Sequence, residues 1–265
     1  MLKIFQRLWQ VNWAEQWQYR ANLLMYLLYW LVSPILYLSI WMSIARVKGS
    51  VNGFTPNDFV TYYMTLLICD QITSNILIHT FAYKVQDGSL SPELTRPIHP
   101  ILTNALVNNI AFKVLTIMGL IPVWIILLFL FKPDFSGVTI ANVLLAVPLM
   151  IIAFLTSFML SGAVTSAAFW TTRVNTVHDF YFAIVLLFSG QFVPLTLTPV
   201  FIQNIARYLP FPLTLFYPIQ MILGKLTAAE IIQSYTVGCV WLVISILLFN
   251  WIWRNGIKRY SAVGA

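Results

Sequence analysis

Apolar residues run along this chain in six long blocks, and the short stretches between them hold almost every charge. About 20 mostly apolar residues suffice to cross a bilayer as a helix. Residues 22–45, 58–81, 103–131, 139–168, 178–197 and 230–253 reach that length, which predicts six transmembrane helices. The third and fourth blocks are long enough to tilt or to protrude. Pro34, Pro122 and Pro148 lie inside blocks, where each predicts a kink.

Two stretches depart from the pattern. Near the N-terminus, Leu2, Phe5, Trp9, Trp13 and Trp17 recur at helical spacing among Lys3, Gln6, Arg7, Gln10 and Gln16. This predicts an amphipathic helix lying in the membrane interface; the other reading is a Trp-rich extension of the first span. Between Phe180 and Lys225 the apolar run Phe182–Phe188 meets Ser189-Gly190-Gln191, then Pro194, Pro199, Pro210, Pro212 and Pro218. Broken backbone at membrane depth is tolerated only against protein or a water-filled cavity. The stretch is therefore expected to line something rather than merely to anchor. Phe201, Ile202, Ile205 and Leu209 form an apolar stripe against Gln203, Asn204 and Arg207, which reads as a short helix dipping into the membrane. Pro212 to Lys225 reads as a second such piece. The other reading is an incidental interfacial loop.

Composition removes the soluble alternatives. The chain is 60% hydrophobic and 9% charged over 265 residues, against about 25% charged in a soluble domain. Its net charge of +7 lies in short loops, so a lipid surface explains it better than nucleic acid. Lys3, Arg7, Arg20, Lys84, Arg96, Arg173, Arg254, Lys258 and Arg259 share the side of the termini; Arg46, Lys48, Lys132, Arg207 and Lys225 lie on the other. This excess predicts cytoplasmic termini, cytoplasmic loops at 82–100 and 169–177, and an extracytoplasmic 190–229 segment. The N-terminus shows no cleavable-signal pattern. The longest polar connection, Tyr83 to Pro100, is too short for a soluble core. A single membrane domain over 1–265 is expected.

Catalytic and metal motifs are missing. Around Gly224-Lys225, a phosphate loop would need Gly at the position of Ile219 and Ser or Thr at that of Leu226. His79, His99 and His178 are far apart and near span ends, which favours interfacial roles over a metal site. Cys69 and Cys239 read as small buried residues. Ser189-Gly190 follows Leu187, where an intramembrane serine protease would place Gly.

Three constellations remain. In the 83–100 loop, Gly88 supplies a turn, Ser89 or Ser91 a cap, and Pro92 suits a first helical turn, while Pro97 stops the element. The predicted short helix carries Leu90 and Leu94 on one face, with Asp87, Glu93 and Arg96 around it. It reads either as a force-transmitting contact for a soluble partner or as an amphipathic loop on lipid. In the second span, Asp70, Gln71, Thr73, Ser74 and Asn75 are polar at membrane depth; they line a pathway or hydrogen-bond between helices. Gln191 joins Asp70, Gln71 and Asn75 as a pathway candidate. Lys113, near the start of its span, is expected to snorkel. In the fourth span, Ser157, Ser161, Gly162, Ala163, Thr165, Ser166, Ala167 and Ala168 permit close helix approach, within the chain or between copies.

These residues resemble a family. Gln86-Asp-Gly-Ser-Leu-Ser-Pro-Glu-Leu-Thr-Arg-Pro-Ile98 is similar to the coupling-helix region of type-2 ABC exporter permeases. Phe188-Ser-Gly-Gln-Phe-Val-Pro194, Ile205-Ala-Arg-Tyr-Leu-Pro-Phe211 and Pro212-Leu-Thr-Leu-Phe-Tyr-Pro218 with Gly224 resemble its broken extracytoplasmic segment. The likeness covers essentially the whole chain and points to the six-span bacterial, cyanobacterial-like branch. It implies an all-α integral membrane protein with an N-terminal interfacial helix, a cytoplasmic coupling helix and a re-entrant segment before the last span. It implies a plasma-membrane exporter subunit that pairs with a second permease and with a separate ATP-binding subunit. Asp87, Gly88, Ser89, Leu90, Ser91, Pro92, Glu93, Leu94 and Arg96 would then contact the ATPase. ATP and Mg would sit on that partner, with no cofactor in this chain. Lipids, drugs and glycoconjugates are the implied substrates. Two other functions are compatible with the residues: a membrane scaffold that binds an ATPase without transport, and an intramembrane lipid-modifying enzyme.

Overall fold

The computed structural model describes residues 2–96, 99–101 and 105–260. Described backbone is helical, and four helices are long and apolar enough to cross a membrane: Met25–Lys48, Leu106–Phe131, Ile140–Phe169 and Ala228–Ile257. They correspond to the first, third, fourth and sixth predicted spans. The other two predicted spans are interrupted, and the interruptions organise the molecule.

Helix α1 (Leu2–Gln18) ends at Tyr19, and α2 (Arg20–Lys48) runs on through Pro34. The N-terminal segment is thus a separate helix rather than an extension of α2. It lies along α6 (Leu106–Phe131), where buried Asn12 accepts a hydrogen bond from Asn108 Nδ2 at 2.9 Å. Trp9 stacks on Trp13.

Helix α3 (Pro56–Thr73) starts with a capping box: Thr55 accepts from the Asp58 N–H, and Asp58 accepts from that of Thr55. It stops at Thr73. Ser74 is extended, and helix resumes only as α4 (Leu77–Gln86). The expected unbroken span over 58–81 is therefore corrected to two helices with a break between them. A one-turn helix α5 (Ser91–Leu94) follows.

Helix α7 (Ile140–Thr165) continues into a 3-10 turn at Ser166–Phe169 and packs along α11 (Ala228–Ile257). A Cβ added at Gly162 would lie 3.2 Å from the Phe249 ring. The small residues of the fourth span thus serve helix approach within this chain.

Helix α8 (Val174–Phe188) is too short to complete its predicted span. The chain then passes a 3-10 turn (Leu195–Leu197), α9 (Val200–Ala206), a second 3-10 turn (Phe211–Leu213) and α10 (Phe216–Ile222). The two short pieces differ. On and just after α9, Val200, Phe201, Ile205 and Tyr208 are exposed, whereas Tyr217 through Met221 of α10 are buried against α3 and α7. Lys225 Nζ donates to Asp58 at 3.0 Å, tying this segment to the start of α3.

Candidate functional site

The two helix breaks face the same space. A cavity of about 630 Å³ lies between α2, the end of α3, α7, α8 and the segment around Phe211. Its volume falls in the range of small-molecule sites. Ser74, Asn75 and Ile76 of the first break line it, as does Gln191 of the second. Each long wall contributes a stripe at helical spacing: Tyr26, Tyr29, Trp30 and Ser33 from α2; Thr156, Ser157, Leu160 and Ser161 from α7; Asn175, His178, Asp179 and Phe182 from α8.

The first break is satisfied by side chains. Asn75 donates from Nδ2 to Ser157 Oγ at 2.8 Å, and its Oδ1 accepts the Leu77 N–H at 3.3 Å, starting α4. The last carbonyls of a helix lack partners in their own helix. Here the Ser74 N–H bonds Asp70 O, and Lys113 Nζ donates to Gln71 O at 2.8 Å. Lys113 also sits 5.0 Å from the centre of the Phe154 ring. It therefore does not snorkel: it caps α3, where a cation also suits the helix dipole.

Three of the four pathway candidates, Asp70, Asn75 and Gln191, line the cavity. Gln71 does not; it is buried, and its carbonyl faces Lys113. No hydrogen bond to the Asp70 carboxylate is made among the described residues; its electrostatic neighbour is Lys113. Thr156 Oγ1 is buried against the cavity with no hydrogen-bond partner among the described residues.

The second break is held from α2 and α3. Tyr62 donates to Gly190 O at 2.8 Å; Tyr63 and Trp41 both donate to Phe192 O at 2.8 Å. The Phe216 N–H bonds Ser189 O, fastening α10 to the end of α8. Gly190 has φ +86°, and a Cβ there would lie 2.6 Å from Tyr62 Oη.

At the far end of α4 the 83–96 loop is anchored, and its apolar face is turned inward. Leu90 is fully buried with Leu77, Phe81, Val85, Phe158 and Trp253, and Leu94 packs against the same cluster. Glu93 is buried and accepts from Lys84 at 2.6 Å. Of the residues expected to contact the ATPase, Leu90, Glu93 and Leu94 thus turn inward in this chain, because burying the leucines costs less than exposing them. Gly88 takes φ +80°. The Ser89 N–H donates to Asp87 at 2.9 Å and holds that carboxyl below its ordinary range. Tyr260 donates to Gly88 O at 3.0 Å and meets Ser91 Oγ at 3.0 Å. Asp87, Ser89, Pro92, Thr95 and Arg96 are exposed. Pro97, expected to stop the element, and Ile98 lie outside the described residues.

No group of three or more metal-capable His, Cys, Asp or Glu side chains gathers among the described residues. His178 lines the cavity beside Asp179, 3.5 Å away, and His99 packs between Phe249 and Trp253. The side chain of His79 lies outside the described residues. Cys69 is buried as expected, whereas Cys239 is exposed.

A family model described as ABC-2 family transporter protein matches residues 30–264. No curated protein and no solved structure matched.

Proposed function

The chain belongs to the ABC-2 transporter family, as a multi-pass membrane permease, and from that premise we propose that it is the membrane subunit of an ATP-driven exporter for hydrophobic or amphiphilic substrates. It works with a separate ATP-binding subunit and a second permease, in a bacterial plasma membrane, with both termini cytoplasmic. Six crossings result when α3 and α4 count as one interrupted span and α8, with the chain to about residue 197, as another. The contact for the ATPase is the outer face of the 83–96 loop: Asp87, Ser89, Pro92, Thr95 and Arg96.

One observation carries this reading. The anchored loop and the cavity share a single lever, α4, which starts at the break lining the cavity and ends at the loop. A push on the exposed loop face moves α4 as a body, because Leu90 and Glu93 bind the loop to it, and the break at Ser74–Ile76 takes up the motion. Hinges of this kind are a few terminal residues that absorb a change in backbone angles.

The test is purification of the tagged chain in mild detergent, followed by mass spectrometry. A stoichiometric P-loop ATPase is expected, with its loss on Arg96→Glu. A clean preparation without an ATPase, under conditions that preserve known complexes, overturns the reading.

A further inference from the structure

We propose that the cavity selects amphiphiles bearing an organic cation, an inference that rests on the permease reading above and narrows its substrate class. The formal charges on the lining are all of one kind: Asp70 at the foot of the first break and Asp179 on α8. No lysine or arginine lines the cavity among the described residues. Lys113, which donates to the carbonyl of Gln71 and faces the ring of Phe154, acts on Asp70 from behind the lining. His178 stands beside Asp179, 3.5 Å away. Among the described residues Asp70 therefore meets the cavity without a hydrogen bond, and Thr156 adds a buried hydroxyl with no hydrogen-bond partner.

The remainder of the lining suits the same guest. Tyr26, Tyr29, Trp30, Tyr181, Phe182 and Phe211 present aromatic surface. Such faces attract ammonium, guanidinium and phosphonium ions through the ring quadrupole, most strongly where water is excluded. A carboxylate at membrane depth is costly unless it meets a counter-charge; Lys113 supplies one to Asp70 from behind the lining, and a guest cation would supply one from the cavity side. An anionic headgroup would find no lysine or arginine on this lining and would face two carboxylates. A wholly apolar guest would leave Asp70 and Thr156 without partners.

Tetraphenylphosphonium and tetraphenylborate have nearly the same size and shape and opposite charge, so they separate charge from hydrophobicity. Binding of each to the full-length chain in detergent, with whatever subunits co-purify, is measured by equilibrium dialysis against protein-free micelles. The phosphonium is expected to bind at least about tenfold more tightly than the borate, and Asp70→Asn is expected to lose about that factor. Asp179→Asn, on a side chain 80% exposed, is expected to lose only about twofold. Asp70→Glu retains binding. Equal binding of the two ions overturns the proposal, as does unchanged phosphonium affinity in a folded Asp70→Asn. Should Asp70→Asn fail to fold, the preference for phosphonium over borate and the Asp179→Asn loss decide. The assay needs no ATP hydrolysis. A failure here with the ATPase still bound refutes cation selection alone, while absence of the ATPase refutes the permease reading.

Discussion

The two breaks solve one problem in different ways. At Ser189–Phe192 the freed carbonyls are covered by three aromatic donors, two of them on one oxygen, and the following helix is fastened back to α8. At Ser74–Ile76 the fastenings include Lys113 on Gln71 O, the Asn75–Ser157 pair, and the Leu77 N–H on Asn75 Oδ1. The first arrangement doubles the donors on Phe192 O and draws them from α2 and α3. The second relies on a lysine and short polar side chains, and both breaks border the cavity. A membrane protein has no water in the hydrocarbon to repair a lost bond. Large aromatic side chains thus pin the break at Ser189–Phe192, and a lysine with short polar side chains holds the one at Ser74–Ile76, which suits the latter as the hinge proposed above and the former as its fixed wall.

Four substitutions and one titration break or sharpen that contrast. The largest effect is expected at the end of the moving arm. Leu90→Asp places an unpaired charge in a filled cluster and should cost about 4 kcal/mol or more, read as loss of monodisperse protein in detergent. A stable Leu90→Asp would mean that the arm is not anchored as described. At the fixed wall, Gly190→Ala forces a left-handed alanine into contact with Tyr62 and should cost about 2–3 kcal/mol, seen as a lowered melting temperature. Lys113→Met should cost about 1–3 kcal/mol by stranding the Gln71 carbonyl, and spin labels on α3 and α4 should report a broader distance distribution. Tyr63→Phe should cost about 0.5–1 kcal/mol, because Trp41 still serves the same oxygen. If Tyr63→Phe proves the costlier of these two, the contrast between the breaks fails.

The titration is the smallest effect. The Asp87 carboxyl sits below its ordinary range in the fold because the Ser89 N–H binds its charged form. Its contribution is therefore present above the ordinary carboxylate pKa and is lost as pH falls through the lowered value. Protection of the Ser89 amide from hydrogen exchange should fall on acidification in the wild type and be low throughout in Asp87→Asn.

Much of this was legible in the chain. Four apolar blocks became four long helices, because length and apolarity suffice when lipid is the solvent. The second break announced itself through Gly190 and the prolines after it. The first did not: Asp70, Gln71, Ser74 and Asn75 were visible as polar residues, yet nothing local shows that their bonds go to Lys113 and Ser157, 42 and 82 positions away. The inward turn of Leu90 was also hidden, since an amphipathic pattern says which face is apolar and not what covers it. The cavity walls carry a signal in the sequence as well. Tyr26, Tyr29, Trp30 and Ser33, like Asn175, His178, Asp179 and Phe182, recur every three or four residues, a polar and aromatic stripe inside an apolar helix. Ser157 and Ser161 were read only as small packing residues, and they are lining as well.

The hydroxyl of Tyr260 reaches across about 170 positions of sequence to the turn at Gly88 and Ser91. For anyone building chimaeras, the loop and the tail are thus one cassette. A loop transplanted from a relative without its own tail would arrive without its clasp, and a chain cut short of Tyr260 would carry the native loop in a loosened form. With the outer face of the loop as the ATPase contact proposed above, recognition of that subunit would be written in two distant stretches of the gene, to be exchanged together.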